Sequence, residues 1–218
     1  MSRLYIEELI QRMIIKEEVR SSDESISWKA YREAEIINDV SLFPILKELI
    51  LMNLKSKDKK YRNAAYFIMG NLIKYVPDIE LIVFYLKQLE IETDKYILSA
   101  MLDRISNFAI PTYIPVKIIA SLSFHEKWLI RHSAIKALGS SATLESKKTL
   151  YYYIKQEDEK AYKYEIIYAN ASLGKIGSME DVSIIEQHLK SKIRDIKGSA
   201  EFAIQSIRER NGTYDLIV

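Results

Sequence analysis

Apolar residues recur at three- and four-residue intervals along most of the chain. Near the start, Leu4, Ile6, Leu9, Ile10, Met13 and Ile14 fall on one stripe. That spacing places side chains on one face of an α-helix and predicts an amphipathic helix over residues 4–20. The segment Ser21–Ser27 is polar and rich in helix-capping residues, so a helix can restart near Trp28.

Beyond this point two kinds of break alternate every 15–18 residues. Pro44, Pro77, and Pro111 with Pro115, stand at helix entries, where a missing N–H costs nothing. In the later part Gly139-Ser140-Ser141 and Gly177-Ser178 take the same place. Glycine there suits the left-handed residue just past a helix, and Ser178 with Asp181 has the spacing of a capping box. Charged turns lie between these breaks, at Lys55–Lys60, Glu92–Lys95, Phe124–Lys127, Glu157–Lys160 and Ser191–Asp195. The pattern predicts A helices over Leu42–Leu54, Asp78–Ile91, Tyr113–Leu122, Leu144–Lys155 and Glu180–Lys190. It predicts B helices over Tyr61–Val76, Lys95–Ala109, Leu129–Leu138, Tyr162–Ile176 and Lys197–Arg208.

The B helices are copies of one another. The clearest is His125–Gly139, HEKWLIRHSAIKALG. Setting Arg62 on Arg131 puts Ala65 on Ala134, Met69 on Leu138 and Gly70 on Gly139. Setting Ile166 there aligns Ala169, Leu173 and Gly174. Fainter copies start at Lys197, at Lys95 (with Asp103 in the Gly slot) and at Lys29. The anchors Lys29, Arg62, Lys95, Arg131, Ile166 and Lys197 are 33, 33, 36, 35 and 31 residues apart. A constant period in this range marks a repeat architecture, in which each helix pair must stack on its neighbours to bury both apolar faces.

Trp128, Ile130, Arg131, Ala134, Leu138 and Gly139 resemble a HEAT repeat, with His125 in place of the turn's usual Asp. The resemblance covers roughly residues 28–210. It implies an all-α, right-handed α-α superhelix (a HEAT-like solenoid) of about six two-helix repeats, with the B helices lining a concave inner face. A single domain, residues 1–218, would comprise a degenerate repeat at 1–40, repeats at 41–76, 77–110, 111–142, 143–177 and 178–211, and a tail at 212–218. The fold hosts scaffolds, transport adaptors and some enzymes, so it leaves function open.

Composition narrows the classes. Of 218 residues, 48% are apolar and 28% charged, with few Gly and Pro, as an ordered helical chain requires. The 32 basic and 30 acidic residues leave +2, short of the basic excess common in nucleic-acid binders, although a local basic face stays open. The absence of cysteine rules out disulfides and cysteine-based metal or nucleophile sites. The N-terminus carries Glu7 and Glu8 and no uninterrupted apolar run, unlike a signal peptide. No apolar stretch reaches the length of a membrane span, and a cytoplasmic location is the expectation.

Candidate chemistry is sparse. There is no HExxH, P-loop or GxGxxG, and His125, His132 and His188 lack metal-ligand partners at helical spacing; no metal or cofactor is expected. Arg62 and Arg131, with Lys29, Lys95 and Lys197, form a basic ladder that Arg104, His132, Lys136, Lys163 and Lys175 would widen. In HEAT repeats such arginines bond the neighbouring repeat's turn acid and backbone; alternatively the ladder is an inner stripe for an acidic partner or a nucleic-acid backbone. Trp128 with Arg131 also resembles the Trp-x-x-Arg of DNA-alkylation repeat proteins, without the acid expected nearby. HEAT-like phycobilin lyases are a third, weaker likeness. Tyr151, Tyr152 and Tyr153 cannot all face a core, because successive helical residues turn by about 100°; exposed tyrosines near Tyr162, Tyr164 and Tyr168 would favour protein recognition. The expected function is a non-enzymatic interaction or scaffold module that binds a protein or peptide on the concave B-helix face. A DNA-binding or base-excision protein is the alternative. Arg62, Lys95, Trp128, Arg131, His132, Lys163 and Tyr168 are the candidate partner-binding residues.

Overall fold

The computed structural model describes residues 2–54 and 59–212. Much of the first charged turn (55–58) and of the tail (213–218) therefore lies outside the described residues. Among those described there are twelve α-helices and no strand. The chain divides into two compact units, residues 1–104 and 105–218. The division falls within the stretch expected as the repeat 77–110.

The first unit holds α1 (Arg3–Ile14), α2 (Ile26–Glu35), α3 (Phe43–Asn53), α4 (Lys59–Tyr75), α5 (Ile79–Ile91) and α6 (Lys95–Ile105). Helix α1 buries Ile6, Leu9, Ile10 and Met13 but stops at Ile14, short of the expected residue 20. The cause is local. Glu17 leaves the helix to cap α2, accepting from the Ser25 hydroxyl (2.6 Å) and from the Ile26 (2.9 Å) and Ser27 (2.8 Å) N–H groups. These bonds, that of Ser25 first, hold its carboxyl at about 2, a charge well matched to a helix N-terminus. Pro44 occupies the first turn of α3. Helix α4 packs against α1, α2, α3 and α5, and its buried Ala64, Ala65, Ile68, Met69, Leu72 and Ile73 form the centre of the unit.

The second unit holds α7 (Lys117–Leu122), α8 (Trp128–Leu138), α9 (Leu144–Ile154), α10 (Lys163–Ile176), α11 (Met179–Glu186) and α12 (Arg194–Arg210). A 3-10 turn, Gln187–Lys190, extends α11. Helix α7 starts four residues later than expected, because Pro115 biases the residue before it away from helical backbone; Ile114 and Val116 are buried there as irregular chain. Helix α6 ends at Ile105 rather than Ala109. Beyond it the chain is tied to the loop after α8: the Ser140 hydroxyl donates to the Ile105 carbonyl (2.6 Å) and the Ile110 N–H to the Ser140 carbonyl (2.7 Å). The capping box at Ser178 and Asp181 is formed.

Helix α10 packs against α8, α9 and α12, and the buried Ile130, Ala134, Leu138, Ile166, Ala169, Leu173, Ala200 and Ala203 meet between them. The repeat's glycines have a different role from the one their position suggests. Gly139 has φ −69° and Gly177 φ −72°, so neither is left-handed; only Gly212 has positive φ among the described residues. Gly139 serves close approach instead, as does Gly174. A Cβ on Gly139 would lie 3.0 Å from Ser172 Cα, and one on Gly174 2.9 Å from Ala203 Cα. Helices α8 and α10, and α10 and α12, thus touch through small residues.

Gly198, in the middle of α12, has nothing within 4 Å of a would-be Cβ, and separates the two effects. Gly174→Ala is expected to destabilise the protein by about 1–3 kcal/mol through overpacking. Gly198→Ala should instead stabilise it by about 0.5–1 kcal/mol by removing glycine's helix penalty. Denaturant unfolding of the two variants checks both signs.

Candidate functional site

Two rungs of the basic ladder, Arg62 and Arg131, form ion pairs between successive repeats. Arg62 is buried on α4. Its Nε and Nη2 donate to the Glu92 carboxylate at 2.7 and 3.1 Å, and Nη1 donates to the Asn53 carbonyl at 3.3 Å. Glu92 lies in the turn before α6 and also accepts from the Thr93 and Asp94 N–H groups (3.0 and 2.9 Å). Arg131 repeats the arrangement on α8. Its Nε donates to Glu165 on α10 at 2.7 Å, and Nη1 donates to the His125 and Glu126 carbonyls of its own turn at 2.9 and 3.1 Å. Lys163, one repeat on, holds Asp195 at 2.6 Å. The other cations differ. Lys95 is exposed on α6, its ammonium 4.8 Å from the Tyr96 ring centroid, and Arg104 stacks on Phe67 at 4.8 Å. At the slot equivalent to Arg131, α10 places Ile166, which is fully buried.

Five of the expected binding residues gather in the second unit. Trp128 and His132 stand one turn apart on α8, and Tyr164 and Tyr168 one turn apart on α10, the spacing that puts residues on a common helix face. The His132 ring centroid is 5.6 Å from Trp128, 5.9 Å from Tyr164 and 5.3 Å from Tyr168. Together with Arg131, Ala161 and Glu165 these residues line a cavity of about 470 Å³, within the roughly 300–1,000 Å³ of small-ligand pockets. Trp128 is 62% exposed and Tyr164 55%. Lys163 is at its edge, its ammonium 5.4 Å from the Tyr164 ring centroid. Arg62 and Lys95 belong to the first unit. The sequence singled out Tyr168 and His132 but not Glu165, whose signal was its place four residues before Ala169, facing the Arg131 of the preceding repeat.

Glu165 sets the electrostatics. Burial pushes its carboxyl up, but the Arg131 guanidinium, a main-chain N–H and His132 together hold it below the usual carboxylate range. His132 Nε2 lies 3.1 Å from Glu165. Burial drives the imidazole below its ordinary value of 6.5, against the pull of Glu165 and with a smaller push from Arg131. At neutral pH the ring is therefore uncharged and donates to Glu165. His188, also buried, lies 3.2 Å from the Asn170 amide oxygen and is lowered by burial, which outweighs Glu159.

The tyrosine run divides as helical geometry requires. Tyr153 is buried and donates to the Ser123 carbonyl (2.5 Å), Tyr151 bonds Asp181, and Tyr152 is exposed against Phe124. No group of three or more His, Asp or Glu could hold a metal among the described residues, nor is any helix there long and apolar enough to cross a membrane.

The sequence matches no protein-family model and no curated protein. Solved structures do share its fold. An engineered protein from the Northeast Structural Genomics Consortium superposes with a TM-score of 0.52 at 17% identity, over 94% of this chain and 97% of that one. A designed armadillo repeat protein gives 0.50 at 14% identity, over 93% and 99%. The fold is an all-α helical-repeat solenoid of the HEAT or armadillo kind.

Arg62→Met leaves Glu92 buried without its counter-charge and is expected to cost about 3–5 kcal/mol; adding Glu92→Gln should recover most of it, as a double-mutant cycle in urea will show. Separately, His132 and His188 bind protons less readily folded than unfolded. Their stabilisation is complete above about pH 6.5 and is lost as pH falls through the lowered folded values. The thermal midpoint should fall between about pH 7.5 and about pH 5, and fall less in the His132→Gln/His188→Gln double variant.

Proposed function

We propose that the chain is a non-enzymatic interaction module, a helical-repeat scaffold that binds a protein or peptide on the B-helix surface formed by α8 and α10. The observation that carries this reading is the aromatic cavity. Trp128 and Tyr164 are more than half exposed yet sit on packed helices around one hollow with His132 and Tyr168. Large aromatic side chains on rigid elements offer contact area at low entropic cost, and they dominate binding energy at protein interfaces. Lys163 and the Arg131 guanidinium supply polar edges to the same hollow.

DNA binding, the second reading, draws on Trp128 beside Arg131. It has less support, because Arg131, Arg62 and Lys163 are each neutralised by an acid of the following repeat. Phosphate binding needs cations that can release counterions.

Selection of a random peptide library on the immobilised protein tests the reading. Peptides so obtained should bind the Trp128→Ala/Tyr164→Ala variant at least tenfold more weakly, with its circular dichroism and melting unchanged. Binding should persist as NaCl rises from about 0.05 to about 0.2 M, where phosphate-backbone binding falls by orders of magnitude. Equal capture by the folded variant would remove the α8–α10 surface. A mobility shift of duplex DNA that collapses over the same salt range would favour the second reading.

A further inference from the structure

The cavity between α8 and α10 discriminates by what its charges already do. Its one carboxylate, Glu165, is engaged by Arg131 at 2.7 Å and by His132 at 3.1 Å. An incoming acid would face that carboxylate at short range. An incoming ammonium or guanidinium would face Arg131, which lines the cavity, and Lys163, which already stands 5.4 Å from the Tyr164 ring. Lys163 is in turn neutralised by Asp195. The hollow is thus balanced in charge, and a charged guest meets no net counter-charge to offset the loss of its hydration.

Two features remain unengaged. One is π surface: the exposed rings of Trp128 and Tyr164, continuous through His132 with Tyr168. The other is one edge of the Arg131 guanidinium. Nε and Nη1 donate to Glu165 and to two turn carbonyls, whereas Nη2 makes no hydrogen bond to any described residue. A ring beside a carbonyl fits both. The ring gains offset or edge-to-face contacts worth more than its buried area alone, and the carbonyl accepts from a charged donor, the stronger class of hydrogen bond.

We propose that this cavity receives an uncharged aromatic side chain of a peptide partner, with the main-chain carbonyl beside that residue accepting from Arg131 Nη2. The proposal rests on the peptide-binding reading above and adds its specificity. Trp128 and Tyr164 flank the inserted ring, Tyr168 and His132 form the floor, and Glu165 holds Arg131 in place. The neutral state of the site makes recognition indifferent to salt and to acidic or basic flanking sequence.

N-acetyl-phenylalanine N-methylamide carries one ring between two peptide units and is the probe. Its arginine, aspartate and leucine counterparts are the comparators. Titrations are followed by NMR on the His132 imidazole signal, assigned by its loss in His132→Gln, and on the Trp128 indole N–H, assigned by its loss in Trp128→Phe. The phenylalanine amide is expected to shift both signals saturably, at least tenfold more tightly than the arginine or aspartate amides. Benzyl alcohol, a ring without the carbonyl, should bind several-fold more weakly than the amide, and Arg131→Met should abolish that difference. Shifts by the arginine amide equal to or stronger than those by the phenylalanine amide would overturn the proposal, as would no shift with any amide. If library peptides bind through Trp128 and Tyr164 but contain no aromatic residue, this specificity fails while the interaction surface stands. If the phenylalanine amide binds but library capture ignores Trp128 and Tyr164, the reverse holds.

Discussion

The contact between successive B helices governs the rest of the second unit. Helix α8 is clamped to α10 at two points. Near its N-terminal end Arg131 reaches Glu165; at its C-terminal end Gly139 lies against the Ser172 backbone. Two such points, met in the same order along both helices, make them parallel neighbours with little freedom to slide. Side chains on the adjoining faces then meet in fixed pairs. Trp128 and His132 come opposite Tyr164 and Tyr168 because the clamps set their register. The aromatic cavity is a consequence of repeat packing, sited on the helix pair that these two clamps join.

This also explains the fate of the basic ladder. An arginine that bonds its own turn's carbonyls and the next repeat's acid stitches two turns together. Arg62 with Glu92 and Arg131 with Glu165 do this with nearly the same geometry. Both acids are buried, so each guanidinium is held by the cost of leaving a carboxylate unpaired. A cation committed in this way contributes shape and polarity to the surface but little net field.

Much of the fold was legible in the sequence, because helix periodicity and punctuation are local signals. The B helices from Tyr61, Lys95, Leu129, Tyr162 and Lys197 lie where the pattern places them, within a few residues. Apart from the late start of α7, set by Pro115 itself, the departures arise from contacts outside the element concerned. Glu17 abandons α1 to cap α2, Ser140 draws the chain away from α6, and Gly139 is small because of Ser172 rather than because of its own backbone angle. The candidate site was legible in part. Trp128, Arg131, His132 and Tyr168 carry recognisable chemistry, but their assembly depends on which face of α10 meets α8. Periodicity gives the face of a helix, not the identity of its neighbour, so Glu165, and the pairing of Tyr164 with His132, emerge only when the two helices are brought together.

The α8–α10 and α10–α12 junctions show which part of the motif they share. At the α10–α12 junction the arginine slot holds Ile166, buried and apolar, so the turn stitch seen one repeat earlier is gone. Its work is divided. Lys163 pairs with Asp195 at one end, Asn170 bonds Ser199 in the middle, and Arg210 donates to the Gly174 and Gly177 carbonyls at the other. What persists is the small residue at the crossing, Gly174 against Ala203. Polar ties can be exchanged for one another because each need only satisfy its own charges. At Gly139 and Gly174 the close approach is harder to exchange, because a side chain there must displace the neighbouring backbone. Repeats of this kind can therefore diverge in every polar position and still stack, which leaves the surface of a single pair, here α8 and α10, at liberty to acquire an aromatic cavity without disturbing the others.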